Sequence, residues 1–240
     1  MSLVKDQAVV LRTYRLGEAD RIVVLLTEGQ GKRRAVAKGV RRTKSKFGAR
    51  LEPMSHVHCV LWEGRSELGV VNQVEVTDSF RIVREDLARM EAALSILEVA
   101  DHVAQERHAD SRLYQMVVGA LRTLNDPEVA PPLVAPAFFL KALVAEGAGP
   151  VVDRCASCGV DGPLVAFDYA EGGMLCPSCR RGRSVSPEGH ALLVELLGGG
   201  LRAALRPPPP PGTAEVASIA TEAIELHLDR RLRSLRSAVG

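Results

Sequence analysis

The chain has 240 residues, of which 46% are hydrophobic and 25% are charged, and its formal net charge at pH 7 is +2. This composition is ordinary for a soluble globular protein. The sequence has neither a cleavable apolar segment near its start nor an uninterrupted apolar run of about eighteen residues, so a secreted or membrane-spanning protein is not expected and a soluble, intracellular one is.

Positive charge is concentrated in the first third of the chain. Residues 1–80 contain 14 Lys or Arg and 9 Asp or Glu, whereas the remainder contains 17 and 20. A polyanion is therefore expected to bind to the first third. The length is sufficient for one large domain or about two to three small ones.

Five strand-like segments follow one another before residue 80. Each is short, rich in apolar and β-branched residues, and bounded by turn residues. The predicted strands are residues 4–14, 21–27, 32–40, 56–62 and 68–76. Five short strands with one long connection after the third predict a small closed barrel of the OB type, with an SH3-like barrel as the alternative.

The segment from Lys32 to Arg50 has the highest charge density in the sequence. Nine of its nineteen residues are Lys or Arg, and none is Asp or Glu. Because like charges at this density repel one another, they are tolerated best where an anion supplies the opposite charge. We predict that the segment binds a nucleic-acid backbone; a solvated basic loop or a sorting signal is the alternative. The predicted nucleic-acid-binding residues are Lys32, Arg33, Arg34, Lys38, Arg41, Arg42, Lys44, Lys46 and Arg50.

Aromatic side chains that could stack on bases are scarce in the same region. Before residue 80 the candidates are Tyr14, Phe47 and Trp62, and we expect Trp62 to be buried because it lies in an apolar strand. Binding is therefore expected to depend mainly on phosphate contacts, with weak sequence preference and steep salt dependence.

From Arg81 onward the apolar residues follow helical spacing. The predicted helices cover residues 81–103, 111–124 with a cap at Asp110, 136–146, 187–198 with a start at Ser186, and 213–236. The proline run from Pro207 to Pro211 is predicted to be a stiff connector, with a ligand for a proline-binding module as the alternative. Arg180, Arg181 and Arg183, and the arginines at the end of the last predicted helix, are secondary candidates for phosphate contact.

Four of the five cysteines have the spacing of metal ligands. Cys155 and Cys158 form one Cys-x-x-Cys pair, Cys176 and Cys179 form another, and seventeen residues separate the pairs. Two such pairs can deliver four thiolates to one tetrahedral ion, and because no position is left for water, a structural Zn²⁺ is predicted. A redox role is the alternative. Cys59 is expected to be a small buried apolar residue.

Together these segments predict an α+β protein with three parts. An OB-type barrel occupies residues 1–80, and an α-helical domain is formed by residues 81–148 and 184–240. The four-cysteine zinc module, residues 149–183, is inserted into the helical domain.

The sequence has no arrangement of residues typical of an active site. Gly29-x-Gly31 lacks the third glycine of a dinucleotide-binding loop, and no Ser or Thr follows Lys32 as a Walker A motif requires. His56 and His58 lie on one face of a predicted strand, where a surface or hydrogen-bonded pair is preferred to a metal site. The chain is therefore predicted not to be an enzyme.

A dense motif runs from Val9 to Pro53. Its residues are Gly17-Glu18-Ala19-Asp20-Arg21, Thr27 with Gly31, Ala37-Lys38-Gly39-Val40-Arg41-Arg42, Ser45 and Leu51-Glu52-Pro53. This motif resembles the N-terminal OB domain of the bacterial RecO family of DNA repair proteins. The order of the later segments, with helices on both sides of a four-cysteine segment, agrees with the same family, so the resemblance covers essentially the whole chain.

The resemblance implies a non-enzymatic recombination mediator in DNA repair. Such a protein binds single- and double-stranded DNA, anneals complementary strands and, with RecR, helps to load the RecA recombinase onto DNA covered by single-strand-binding protein. The implied partners are DNA, RecR and single-strand-binding protein, with RecA as an indirect partner and no membrane. The implied location is the bacterial cytoplasm, at the nucleoid during repair. Because not every family member keeps the four cysteines, the zinc is expected to support structure.

Two other classes of function are considered. The first is a zinc-containing transcription or translation factor whose OB domain holds structured RNA. The second is an enzyme that uses the zinc, and four cysteine ligands argue against it because they leave no open coordination position.

Overall fold

The computed structural model describes residues 2–64 and 68–235, and it divides the chain into two compact units. The described residues up to Asn125, together with 234–235, form the first unit, and Asp126–Arg233 form the second. Residues 81–125 are thus grouped with the barrel, whereas helical spacing had assigned them to a separate helical domain; the three-part division stays a prediction. Within the described part, no helix is both long and apolar enough to cross a membrane.

The first unit contains a closed barrel of five strands. They are β1 (Ser2–Leu16), β2 (Asp20–Thr27), β3 (Gly31–Ala37), β4 (His56–Glu63) and β5 (Gly69–Asp78). The long strand β1 pairs antiparallel with both β2 and β4, while β3 pairs parallel with β5, so that the barrel closes in the order β1-β2-β3-β5-β4. The predicted OB-type barrel, rather than the SH3-like alternative, is confirmed.

The barrel encloses a core of small and branched apolar side chains. In β1 to β4 alternate residues point inward, as the two-residue period of a strand requires. In β5 the core residues Val71 and Val74 lie three positions apart, because the pairing with β4 has a register shift there. Phe47 and Leu51, from the connection between β3 and β4, are buried in the same core. Cys59 is buried there as predicted, and burial raises the pKa of its thiol to about 12.

Three helices complete the first unit: α1 (Arg81–Glu85), α2 (Leu87–Val103) and α3 (Ser111–Leu124). The predicted continuous helix over 81–103 is interrupted at Asp86, because this residue has extended backbone angles and its carboxylate accepts the N–H of Arg89 as a cap. The predicted cap at Asp110 is confirmed, since its carboxylate accepts the N–H of Leu113 at 2.9 Å.

The second unit contains four helices and a small sheet. The helices are α4 (Val134–Ala145), α5 (Pro187–Gly198), α6 (Leu201–Ala204) and α7 (Thr213–His227). The sheet has the order β7-β6-β8, with β6 at Ala166–Asp168, β7 at Gly173–Leu175 and β8 at Arg183–Ser184. The proline run lies between α6 and α7, in agreement with its prediction as a connector.

The last helix is shorter than predicted. It ends at His227, and Asp229 has a positive φ of 50° that turns the chain away from the helix axis. The carboxylate of Glu225 then accepts the N–H of the buried Leu232 at 2.8 Å. Apolar spacing continues past His227, but this acid holds the following residues in a turn. Arg236 lies outside the described residues.

Candidate nucleic-acid interface and metal centre

The nine predicted nucleic-acid-binding residues fall into two structural groups. Three of them, Lys32, Arg33 and Arg34, belong to strand β3. The other six lie in the connection between β3 and β4, and we call residues 38–50 the basic loop. The two groups differ in their surroundings.

The cations of β3 are each paired with an acid from another part of the first unit. Arg33 forms an ion pair with Glu63, and Arg34 forms one with Glu106 at 3.1 Å. Lys32 lies 3.6 Å from the carboxylate of Asp101, which is 5% exposed. Because these acids lie outside the segment 32–50, the sequence around β3 appeared to have no countercharge.

Residues after α2 run beside the start of β3. The N–H of Lys32 donates to the carbonyl of Gln105, and the N–H of Arg107 donates to the carbonyl of Lys32, both at 3.1 Å. Gly31 has a φ of +68°, and a Cβ placed on it would lie 1.9 Å from the carbonyl oxygen of His108. Only glycine therefore fits this close approach, which explains why Gly31 belongs to the motif.

The six cations of the basic loop are exposed to solvent. They are Lys38, Arg41, Arg42, Lys44, Lys46 and Arg50. The loop carries no acid of its own, and Phe47 and Leu51 fix its second half to the barrel core. Solvent-exposed cations on a fixed loop are available to the phosphates of a nucleic acid.

The first half of the basic loop is held against the turn between β1 and β2. Asp20 accepts the N–H of Gly39 at 2.7 Å, and the N–H of Arg41 donates to the carbonyl of Ala19 at 3.0 Å. The Arg41 guanidinium also donates to the carbonyl of Glu18 at 2.9 Å. Gly39 has a φ of +67°, so the chain leaves the sheet after Ala37 and not after Val40 as predicted.

These contacts give the motif a physical meaning. Its two densest parts, Gly17–Arg21 and Ala37–Arg42, bind each other and so place the basic loop beside the β1–β2 turn. That turn and the outer face of β2 and β3 are the elements through which OB barrels bind oligonucleotides. The cations of the basic loop could be identified from the sequence alone. The anchoring role of Asp20 could not, because apart from its place in the motif nothing in the neighbouring sequence points to it.

The three aromatic candidates have different exposures. Phe47 is 2% exposed and belongs to the core, while Tyr14 is 37% exposed with the Arg12 guanidinium 4.8 Å from its ring centre. Trp62 is 41% exposed, so the expectation that it is buried was wrong. Its side chain points out of the barrel because its neighbour Leu61 points in.

The secondary candidates for phosphate contact have partners within the second unit. Arg181 forms an ion pair with Glu171, and Arg231 forms one with Glu225 at 2.7 Å. Arg183 donates to the hydroxyl of Ser218 at 2.6 Å. The charges of Arg181 and Arg231 are therefore partly offset by acids.

The four predicted metal ligands come together in the second unit. The Sγ atoms of Cys155, Cys158, Cys176 and Cys179 all lie within 4.8 Å of one another. The Sγ atoms of Cys158 and Cys176 are 3.7 Å apart. Four sulfurs at the usual Zn–S distance of about 2.3 Å form a tetrahedron with edges of about 3.8 Å, so the cluster has the size that this ion requires.

Tight turns place the cysteines in this arrangement. The N–H of Gly159 donates to the carbonyl of Cys155 at 2.8 Å, with Gly159 at a φ of +78°. In the second pair, the N–H of Cys179 donates to the carbonyl of Cys176 at 3.1 Å. The N–H of Ala156 donates to the carbonyl of Met174 in β7 at 2.8 Å, and this hydrogen bond connects the first turn to the sheet.

The closeness of the four thiols also favours a cation between them. Backbone N–H groups, first that of Cys176, lower the pKa of the Cys155 thiol to about 6. In contrast, hydrogen bonds with the thiols of Cys158 and Cys176 raise the pKa of Cys179 to about 12. Four thiolates this close repel one another unless a cation is bound, so the donor set fits a thiophilic divalent ion.

His56 has a structural role. Its Nε2 lies 2.8 Å from the hydroxyl of Tyr114 in α3, and the ring is 4% exposed. Burial lowers the pKa of His56, and the charge of Arg122 lowers it further. The residue therefore links the barrel to α3, in agreement with the preference for a hydrogen-bonded histidine over a metal ligand.

Comparison with known proteins gives matches over nearly the whole chain. Residues 1–80 match the family model for the N-terminal part of recombination protein O, and residues 84–236 match the model for its C-terminal part. A relative from Streptomyces coelicolor, named DNA repair protein RecO, is 44% identical over an alignment of 252 residues. That alignment covers 98% of this chain and 98% of the relative.

Proposed function

Because the chain belongs to the RecO family of recombination proteins, we propose that it is a non-enzymatic, DNA-binding mediator of recombinational DNA repair. It binds single- and double-stranded DNA and anneals complementary strands. With RecR, it helps to load the RecA recombinase onto DNA covered by single-strand-binding protein. A role in DNA repair and recombination follows from the family; the individual activities and partners are the proposal.

The observation that carries the proposal is the exposed basic loop beside the β1–β2 turn. Its six cations are exposed to solvent, although Arg41 also donates to backbone carbonyls, whereas the three cations of β3 are paired with acids. Contacts to the phosphate backbone carry no sequence information, so the protein binds DNA of any sequence. They also leave the Watson–Crick edges of the bases free to pair, which strand annealing requires.

We propose further that the four cysteines hold one structural Zn²⁺. The ion links the turn at Cys155–Gly159 to the turn at Cys176–Cys179 and so stabilises residues 149–183. Four thiolates close the coordination sphere, so the ion supplies folding energy and no catalytic water.

The alternative proposal is a zinc-containing factor that binds structured RNA. A competition experiment between unlabelled DNA and RNA distinguishes it from the mediator proposal. Unlabelled DNA is expected to displace a fluorescent single-stranded DNA from the protein at least as well as RNA of the same sequence. The protein is also expected to speed the annealing of complementary DNA strands without any nucleotide cofactor. A clear preference for RNA, or no effect on annealing, would contradict the mediator proposal.

A further inference from the structure

Strand β5 has a neighbouring strand along only one of its two edges for most of its length. It pairs with β4 from Val70 to Asp78, but with β3 only at Gly69 and Val70. Among the described residues, no strand pairs with the other edge of β5 beyond Val70. We call residues 72–76 along this second edge the open edge. An edge of this kind presents backbone groups to which another strand can bind.

The pairing of β4 with β1 shows which backbone groups face the open edge. Val9 is paired with His56, and the N–H of Val10 donates to the carbonyl of Ser55 at 3.0 Å. A bond between the flanking residues is typical of a non-hydrogen-bonded pair, in which the backbone groups of the pair itself point away from each other. The next residue of β4, Val57, therefore directs its N–H and carbonyl toward β1.

The same alternation decides the orientation of β5. Cys59, two residues after Val57, also directs its backbone groups toward β1. These two residues are paired with Val76 and Val74 of β5, and in both pairs the backbone groups point away from the partner. The N–H and carbonyl of Val74 and the N–H of Val76 consequently point away from β4, to the open edge.

A side chain already binds one position of the open edge. The ammonium of Lys46 donates to the carbonyl of Asn72 at 2.9 Å, in the way that the N–H of a neighbouring strand would. In the part of the chain that the structure describes, the backbone groups of Val74 and Val76 that face this edge have no such partner. The open edge therefore offers unused donors and acceptors at the spacing of a strand.

A groove of about 630 Å³ lies along the open edge. Residues 72–76 line it together with Lys46, Phe47 and Arg50 of the basic loop. The lining thus contains two cations and one acid, Glu75, and the basic loop itself has no acid. Because a positive groove favours a partner of opposite charge, the strand that fits here carries acidic side chains.

We propose that the open edge binds an extended acidic segment of a partner protein, which adds to β5 as a further strand. Backbone hydrogen bonds supply the affinity in this mode of recognition, and pockets for alternate side chains supply the specificity. The five residues of the edge extend over about 13 Å at about 3.3 Å per residue, so a segment of about five residues is bound. A nucleic acid has no backbone N–H groups for this ladder, and binding of the segment does not depend on DNA binding by the basic loop.

Peptides with selectively methylated amides test strand addition on the full-length protein. The probe is a fluorescent peptide of about ten residues that alternates glutamate and valine, and its binding is followed by fluorescence anisotropy up to millimolar concentration. In an added strand, alternate amides point to β5. N-methylation of one alternate set is therefore expected to abolish binding, and N-methylation of the other set to preserve it. An equal loss with both sets, or no binding of the unmethylated peptide, would overturn the proposal.

Amide hydrogen exchange locates the bound peptide. The amides of Val74 and Val76 are expected to exchange more slowly when the unmethylated peptide is bound, because each gains an acceptor. The amide of Glu75 faces β4 and should change little. Protection elsewhere in the chain, with Val74 and Val76 unchanged, would place the peptide at another site and contradict the proposal.

Substitutions at Val76 separate the lost donor from a general loss of structure. Val76→Pro removes an N–H that faces the open edge, a position where a strand tolerates proline. Peptide binding is expected to weaken about fivefold, which is the effect of one hydrogen bond. Val76→Ala keeps the N–H and is the matched control, so it should bind like the unmodified protein. Equal affinities of Val76→Pro and Val76→Ala, with both folded by circular dichroism, would contradict the proposal.

A second pair of variants tests the charge without changing the strand. Lys46→Glu combined with Arg50→Glu is expected to weaken binding of the glutamate peptide about tenfold and to strengthen binding of a peptide with lysine in place of glutamate. The control combines Lys38→Glu with Arg42→Glu, an equal charge change at residues of the basic loop that do not line the groove. If both pairs changed peptide binding equally, the groove would not select the segment.

A single-stranded oligonucleotide as competitor identifies DNA as the other possible occupant. If the oligonucleotide displaces the peptide and Val76→Pro leaves the affinity for both unchanged, the groove binds phosphates and the strand proposal fails. If the peptide binds as expected but the unmodified protein binds no DNA, the strand proposal holds and the proposed function fails.

Discussion

Single residues decide which charges of the basic segment can reach DNA. Arg33 is 12% exposed and forms its ion pair with Glu63, which is itself 23% exposed, while Arg42 is exposed on the basic loop. A cation held in a partly buried pair serves stability, because its donors are already engaged and its removal leaves a carboxylate without a partner. A solvent-exposed cation contributes little to stability and can neutralise a phosphate.

This difference predicts opposite effects of two matched substitutions. Arg33→Gln is expected to lower the free energy of unfolding by about 1–3 kcal/mol, because Glu63 loses its partner, and to leave DNA affinity nearly unchanged. Arg42→Gln should weaken DNA binding and leave stability within about 0.5 kcal/mol. Urea unfolding and oligonucleotide binding of both variants provide the measurements. If Arg33→Gln weakened binding as much as Arg42→Gln at unchanged stability, β3 would belong to the interface.

At the scale of elements, the basic loop and the cysteine segment are each fixed by a few specific contacts. The loop is held at one end by Asp20 and at the other by the burial of Phe47. The cysteine segment has three strands of only two or three residues, so we expect an ion that joins its two turns to stabilise it.

Loss of one metal ligand is therefore expected to loosen the segment locally. Cys176→Ser should abolish stoichiometric zinc binding and make residues 150–183 sensitive to protease, since three ligands no longer close the site. Ser178→Ala, an exposed position between the ligands, is the matched control and should retain both the metal and the protection. Metal analysis and mass-spectrometric mapping of the cleavage sites test this. Zinc loss without new cleavage in this segment would show that the ion is not structural.

Elements with a strong local pattern could be predicted from the sequence. The five strands and the capped start of α3 follow from residue spacing, and the clustering of the four cysteines follows from their position in two Cys-x-x-Cys pairs. The pairing of Asp101 and Glu63 with β3 could not be predicted, because it depends on contacts between residues far apart in the chain. The predicted end of α7 was wrong because the contact between Glu225 and the N–H of Leu232 gives no signal in the local spacing. The expected burial of Trp62 was wrong because an apolar residue in a strand faces in or out according to register, and its type alone does not decide this.

At the scale of the whole molecule, the positive charge that we propose to bind DNA is concentrated in the basic loop. The first eighty residues carry the excess of Lys and Arg, and among their described residues the basic loop is the densest group of exposed cations. The arginines after the second cysteine pair and those after α7 have nearby partners in the second unit, such as Glu171 and Glu225. The central claim is therefore that the basic loop supplies most of the phosphate contacts.

Two triple variants with the same change of net charge test this claim. The first variant reverses the charge of three exposed cations of the basic loop: Lys38→Glu, Arg42→Glu and Lys44→Glu. Arg41 is left unchanged because it anchors the loop. The control reverses three exposed arginines elsewhere in the chain: Arg112→Glu, Arg202→Glu and Arg206→Glu.

The decisive measurement is the affinity of both variants and the unmodified protein for a fluorescent single-stranded oligonucleotide across a salt series. The loop variant is expected to bind more weakly and to lose about two from the slope of log affinity against log salt, since each phosphate contact contributes about 0.7. The control variant should keep the slope of the unmodified protein. An unchanged slope in the loop variant, or an equal loss in the control, would contradict the assignment of phosphate binding to the basic loop.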